Sequence, residues 1–366
     1  MKILHVVRQF APAIGGMEVY VRDMILNQQA LGCDCEVLTL NKVFQKDSGE
    51  LASEETLNGI KIHRVGFRGK KNYFIPFVAP SFLKEYDIIH VHNTDVFFDY
   101  LGLVCRILKI PAFATTHGGF FHTQNFSLIK KIYFNTITRF SAAHYRAIFA
   151  SSSNDYELFK TKSRKLLLTP NAITPLGDFI GSGNDFIYIG RLAQHKNIDQ
   201  LIETFSMLVK DHNIKGNLHI VGPEWDVLRS TLKDQANRLT ISDRIHIHGF
   251  IEQDEMHLIL KQCGSFVSAS SFEGFGMSML EGMSVGLIPY VQPNGSFRDL
   301  INQGQIGRCV DFSIPEIAAQ QISESIELVN NEKRNDAKAF ADQFSWQELA
   351  AKTVNAYNAH SDKDSY

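Results

Sequence analysis

Ser271-Phe272-Glu273-Gly274-Phe275-Gly276-Met277-Ser278-Met279-Leu280-Glu281-Gly282-Met283-Ser284-Val285-Gly286-Leu287-Ile288-Pro289 reads as loop, then helix, then strand. Gly274 and Gly276 leave backbone N–H groups uncovered where the helix is expected to begin. Such an end attracts anions through its oriented N–H groups and the helix dipole. Glu273 stands at the mouth of the loop and Glu281 within the helix. Were the segment helical throughout, the two carboxylates would lie roughly 12 Å apart at 1.5 Å per residue. That is about the reach from a sugar ring, across a diphosphate, to a ribose. The plainer reading is a pair of surface glutamates flanking a Gly-rich turn.

Working outward, the same alternation of strand and helix recurs. Ile3–Val7 is an apolar run of the kind that forms a buried parallel strand. A loop with Gly15-Gly16 follows, then helical spacing through Val19, Met24, Ile25 and Leu31, then a strand at Glu36–Leu40. This is a Rossmann-like unit, in which ligands sit at the carboxyl ends of the strands. Gly15-Gly16 occupies that position but lacks the Gly-x-Gly-x-x-Gly fingerprint of dinucleotide enzymes. Asp87–His92 and Pro111–Thr116 are further strands. His90 and His92 read as satisfied strand residues, whereas His117, beside Gly118-Gly119, can approach a ligand closely. The expected organisation is a first α/β domain over 1–170, a Gly/Asp/Ser-rich linker over 171–185, a second α/β domain over 186–345, and a closing helix and tail over 346–366. In the second domain, strand Phe186–Gly190 runs into Arg191 and Lys196. Two cations at a strand-to-helix turn suit a diphosphate.

Length and composition set bounds. The 366 residues suffice for two cores, and 44% hydrophobic with 21% charged residues is ordinary for a soluble globular protein. Five cysteines without a Cys-x-x-Cys pair argue against a disulfide framework or zinc site. No run reaches the ~20 apolar residues that span a bilayer, and a cytoplasmic location is expected. The net charge of -2 is uneven: through Pro170 there are 21 Lys and Arg against 14 Asp and Glu, and beyond it 16 against 25. A basic first half suits phosphate or an anionic membrane. Basic and aromatic residues mingle over 60–86 (Lys61, Arg64, Arg68, Lys70, Phe74, Phe77) and 126–145, where an amphipathic helix is expected. Both stretches fit peripheral contact with the inner face of the plasma membrane, or equally a strand, loop and helix with core aromatics.

The paired glutamates, the Gly190-Arg191…Lys196 turn, Gly222, Gly249, His117 and the Gly15-Gly16 loop together resemble the large retaining glycosyltransferase family 4. Within it, His5–Phe10 with Ile14–Glu18, Thr116–Thr123 and Gly286–Pro289 are similar to the mannosyltransferases of xanthan and acetan assembly. The resemblance implies the GT-B architecture: two Rossmann-like, doubly wound parallel-sheet domains facing across a cleft, with the C-terminal helix returning toward the first. It implies transfer of a hexose, α-mannose from GDP-mannose, onto a polyprenyl-diphosphate-linked oligosaccharide in exopolysaccharide or O-antigen assembly. Arg191 and Lys196 would grip the donor diphosphate, and Gly15 and Gly16 would let backbone approach it. Glu281 would bind the ribose hydroxyls. Glu273, with the N–H groups of Phe275 and Gly276, would hold the sugar, His117 would contact it near the reacting carbon, and the base would lie near Phe250 and Ile251. No Asp-x-Asp motif stands at a strand end, so two cations are expected in place of a divalent metal, with no cofactor beyond the nucleotide-sugar and no nucleic-acid partner. A UDP-sugar donor, a nucleotide-sugar epimerase of the same fold, and a nucleotide-binding scaffold without turnover are the alternatives.

Overall fold

Short β-branched and apolar runs separated by amphipathic helices build two parallel sheets, one in each of two units. The computed structural model describes residues 1–13, 15–44, 49–70, 73–117, 132–163 and 165–361. The described residues up to Asn171 and those from Trp346 onward form the first unit, and Ala172–Ser345 form the second.

In the first unit the strand order across the sheet is Leu166–Leu168, Ala147–Ala150, Ala112–Thr115, Ile88–His92, Lys2–Val6, Asp34–Leu40, Ile60–Val65 and Glu54–Leu57. All neighbours are parallel except the last pair. The chain builds outward from Lys2–Val6 in one direction, then returns to its other side with Ile88–His92. The switch point of this sheet therefore lies between those two strands. Helix Gly16–Ala30 buries Tyr20, Val21, Met24, Ile25 and Gln28. Trp346, Leu349, Ala350, Thr353 and Tyr357 recur at helical spacing and bury one face of helix Trp346–His360, which packs on Gly16–Ala30.

The second sheet runs Ile245–Gly249, Leu218–Val221, Asp185–Ile189, Cys263–Ser268, Ile288–Val291, Arg308–Cys309, all parallel. Its order reverses between Asp185–Ile189 and Cys263–Ser268. Helix Ile198–Lys210 shows why the alternation is stable: Ile198, Leu201, Ile202, Phe205 and Leu208 fall on one face and are buried.

Helix Met277–Met283 starts four residues after Glu273, so Glu273 lies on the loop and Glu281 within the helix, as expected, and the all-helical spacing between them does not apply. The 60–86 stretch is only partly a surface. Arg64 is buried, with its guanidinium donating to Ala11 O at 2.8 Å, and Phe74 is core, while Ile75 and Phe77 stay exposed. Residues 67–70 and 73–76 pair as a separate hairpin. The expected helix over 126–145 is, in its described part, a π-helical turn, Phe134–Thr138, running into Arg139–Ala142. Residues 126–131 lie outside the described residues.

Candidate active site

The carboxyl end of Asp185–Ile189, at the switch point of the second sheet, feeds Gly190 and Arg191, then a 3-10 turn, Gln194–Lys196. The neighbouring strand, Cys263–Ser268, feeds the loop that carries Glu273. Lys196 Nζ donates to Glu273 Oε1 at 2.7 Å, with the side chains only 12% and 15% exposed. The two loops are stitched together around that pair. Ser271 donates from both N and Oγ to His195 O at 3.0 Å, and Asn197 Nδ2 donates to Ala269 O at 3.0 Å. From the far side, Ser296 Oγ donates to Glu273 O at 2.9 Å, and Asn294 Nδ2 to Ser270 O at 2.9 Å. Gly276 closes the loop in the left-handed region at φ +99°, where a Cβ would fall 3.1 Å from Phe297 and Leu300. The N–H groups of Gly274, Phe275 and Gly276 have no backbone acceptor among the described residues.

Arg191 is exposed, and its guanidinium lies 4.6 Å over the ring of Trp225. Tyr188 Oη donates to the Arg191 carbonyl at 3.0 Å, fixing the backbone under it. Glu281 sits partly buried on its helix with no ion-pair or hydrogen-bond partner for its carboxyl among the described residues. Burial pushes that carboxyl up to about 7. Phe250, 74% exposed, and the half-buried Ile251 follow strand Ile245–Gly249. Gly222 N donates to Gly249 O at 2.8 Å, so the two strand ends stay side by side. The Phe275 ring instead packs on Phe344 and the core, leaving only its backbone for a ligand.

In the first unit, Gly15 caps helix Gly16–Ala30 in extended conformation, and a Cβ on Gly16 would meet nothing within 4 Å. Packing alone does not demand glycine at Gly16. His117 lies two residues past strand Ala112–Thr115, its ring edge-on to Tyr20 at 4.6 Å, and Tyr20 is backed by Trp346 at 5.2 Å. His117 Nε2 is 3.4 Å from His92 Nδ1. Burial lowers His117 to about 4, which keeps its imidazole neutral at pH 7. Gly118 to Thr123 lie outside the described residues. His5, His90 and His92 bring nitrogens within 4.8 Å of one another, near enough for a cation. Those nitrogens are committed to hydrogen bonds: His5 with Gln28 and His92, and His90 with Tyr357 and Thr115.

Sequence reasoning picked out both cations and both acids but not that Lys196 and Glu273 meet each other. It gave no role to Trp225, Asn197, Ser271, Asn294 and Ser296, since single loop residues carry no spacing signal. His5 and His92 were within reach, because they sit near the carboxyl ends of two adjacent strands, and the strand of His92 lies beside the one that leads to His117.

Residues 14–175 match the family model described as Glycosyltransferase Family 4, and residues 178–344 match Glycosyl transferases group 1. A GDP-mannose:cellobiosyl-diphosphopolyprenol alpha-mannosyltransferase of Xanthomonas oryzae pv. oryzae is 33% identical over 98% of this chain and 97% of that protein. One of the same name from Komagataeibacter xylinus is 33% identical over 85% of this chain and 80% of its own. Among solved structures, Anabaena HepE in complex with UDP superposes with a TM-score of 0.75 at 17% identity, covering 98% of this chain and 100% of its own. Sucrose-phosphate synthase from Thermosynechococcus elongatus gives 0.70 at 16% identity, covering 98% of each chain.

Proposed function

The chain belongs to glycosyltransferase family 4 and has the α/β GT-B fold, and we propose that it moves an α-mannosyl residue from GDP-mannose onto a polyprenyl-diphosphate-linked oligosaccharide with retention of configuration. The pathway would be assembly of a bacterial exopolysaccharide or O-antigen. The names of the relatives support donor and acceptor. The observation that carries the reading is the charged constellation at the second sheet's switch point: Arg191 exposed, Lys196 against Glu273, and Glu281 unpaired nearby in sequence.

Glycosyl transfer develops negative charge on the departing diphosphate and positive charge on the sugar ring. Arg191 and Lys196 answer the first, each in the manner of preorganised donors worth on the order of 2.7–4 kcal/mol in other enzymes. On this reading they also stand in for a divalent metal. Glu273 is held by Lys196 and by Ser296 at its carbonyl, so its free carboxylate oxygen is aimed rather than mobile, suited to a sugar hydroxyl. Glu281 would accept from the ribose hydroxyls, and the base would lie by Phe250 and Ile251. Gly15 and Gly16 leave backbone open to phosphate, and His117 would take a hydroxyl of the hexose. Because Glu273 is engaged in an ion pair, front-face attack is favoured over a glycosyl-enzyme. The bond from the anomeric carbon to the phosphate oxygen breaks, the acceptor oxygen bonds on the same face, and its proton passes to the leaving phosphate.

Contact with an anionic membrane is part of the proposal. Among the described residues no helix is long and apolar enough to cross a membrane. On the first unit, Leu103, Ile107, Ile132, Ile137 and Phe140 are exposed on helices that touch, with Arg106, Lys109 and Arg139 interleaved. Sedimentation with anionic vesicles that weakens as salt rises supports this surface, and binding indifferent to salt removes it.

A thermal-shift panel of GDP-mannose, UDP-glucose, UDP-galactose and UDP-N-acetylglucosamine, followed by transfer to a lipid-linked cellobiosyl acceptor, tests the main reading. Stabilisation by GDP-mannose and formation of an α-mannosyl product are expected. Preference for a UDP-sugar overturns the donor assignment, and sugar covalently trapped on Glu273 overturns the front-face step.

A further inference from the structure

Behind His117 runs a hydrogen-bond chain whose direction is set at its far end. Gln28, buried on helix Gly16–Ala30, turns its amide oxygen toward the Cys35 thiol at 3.6 Å, while its Nε2 donates to Tyr357 Oη at 3.4 Å. That oxygen can only accept, so His5 Nε2, 2.8 Å away, must carry the proton of that imidazole. A neutral imidazole has one N–H, which leaves His5 Nδ1 bare. It lies 2.9 Å from His92 Nε2, which must then be the donor. His92 Nδ1 is bare in turn, and it faces His117 Nε2 at 3.4 Å. Burial lowers His5 to about 4 and holds His90 and His92 well below the usual histidine range, so each ring is neutral at pH 7, as the one-proton count requires. A side branch agrees in direction: Tyr357 Oη donates to His90 Nδ1, and His90 Nε2 donates to Thr115 Oγ1 at 2.7 Å.

We propose that Gln28, His5 and His92 are positioning residues that fix His117 as the Nε2–H tautomer, keeping its Nδ1 as an acceptor for a hydroxyl of the hexose. This rests on the reading of His117 as a sugar contact. It adds a specificity: His117 accepts a hydrogen bond from a sugar hydroxyl and cannot donate one, because its single N–H is spent on His92. His5, His90 and His92 occupy one face of two adjacent strands, where His5 pairs in register with His90. The sheet itself therefore sets the ring spacing, and Tyr20 holds the last ring edge-on.

The test is long-range 1H–15N NMR on the whole protein with histidine rings labelled in 15N, near pH 7.5, the His117 signals being identified by their loss in His117→Ala. In the unsubstituted chain His117 is expected to show a protonated Nε2 and a bare Nδ1. His92→Phe cuts the relay: His117 should lose its single tautomer, and kcat should fall about tenfold, as for groups that orient histidines at metal centres, with donor KM changed little. His92→Asn, whose Oδ1 takes the place of Nδ1, should restore both. A proton on His117 Nδ1 in the unsubstituted protein, or an unchanged tautomer in His92→Phe, overturns the relay. Undiminished turnover in His117→Ala overturns the sugar contact instead, and that failure appears in the rate while the relay's own appears in the spectrum.

Discussion

Replacing Lys196 with Met keeps most of the stem's volume and deletes the charge that faces Glu273. At 2.7 Å and an effective dielectric near 20, the lost attraction is about 6 kcal/mol before desolvation is counted. Removing one partner of a fully buried pair costs about 3–5 kcal/mol, and an exposed pair contributes about 1 kcal/mol or less. Side-chain exposures of 12% and 15% place this pair between those limits, so a loss of about 2 kcal/mol is expected, or roughly 4–8 °C in Tm for a unit of 150–250 residues. Lys196→Met with Glu273→Gln removes the stranded carboxylate and should recover about half of that loss. Turnover should not recover: deleting one preorganised donor to a leaving group costs on the order of 100- to 1,000-fold in kcat. Urea titration following the second unit and initial rates with saturating donor read the two effects separately. Additive stability losses in the double variant would refute the ion pair, and near-native kcat in Lys196→Met would refute its role at the diphosphate.

The remaining expectations concern the other charged groups and the metal. Arg191→Ala, at an exposed position, should lower kcat/KM by on the order of 100-fold with Tm nearly unchanged, and Trp225→Ala, losing about 0.5–1 kcal/mol of cation–π contact, should raise donor KM a few-fold; a strongly destabilised Arg191→Ala would show that the side chain holds the fold instead. Burial favours the neutral form of Glu281, so the native chain keeps that proton up to about 7 while an unfolded glutamate releases it near 4.5. Stability is therefore lost as pH rises across that window, and Glu281→Gln should be the more stable chain above roughly pH 7 with the advantage fading below roughly pH 5; a pH-independent difference counts against the buried carboxyl. Rates in excess EDTA should match those in magnesium, and a loss reversed by added Mg²⁺ would show that Arg191 and Lys196 do not suffice.

What could be read from the chain follows from range of interaction. The alternation of Ile3–Val7, Gly15-Gly16 and the apolar helix after it is local, so the sheets and their strand ends were legible, as were Arg191 and Lys196 at a strand-to-helix turn. Glu273 was legible as a residue but not as a partner of Lys196, because the two are 77 positions apart and meet only once strands Asp185–Ile189 and Cys263–Ser268 lie side by side. Arg64 and Phe74 fitted surface and core equally well on sequence, for a related reason. A basic or aromatic residue in a mixed stretch looks exposed until a long-range neighbour covers it, here Ala11 O for Arg64 and the Phe97 ring for Phe74.

The two units solve the same topological problem with different polar groups. Each has a switch point where the carboxyl ends of two strands diverge and leave a crevice. In the second unit that crevice is flanked by full charges on Arg191, Lys196 and Glu273, which suits the diphosphate whose charge grows during transfer. In the first unit Ile88–His92 ends in His92 and Lys2–Val6 runs into Arg8, while His117 follows the next strand over, and burial strips the two histidines of charge. A neutral imidazole can discriminate among hydroxyls by donor and acceptor pattern, but it would contribute little to a departing phosphate. The substitutions should therefore separate by salt dependence as well as by size. Losses at Arg191 and Lys196 act on an interaction that ionic strength screens, whereas losses at His117 and His92 should be the same at low and high salt. A salt-dependent defect in His117→Ala would overturn the proposed role of His117 as a neutral hydrogen-bonding contact to the sugar.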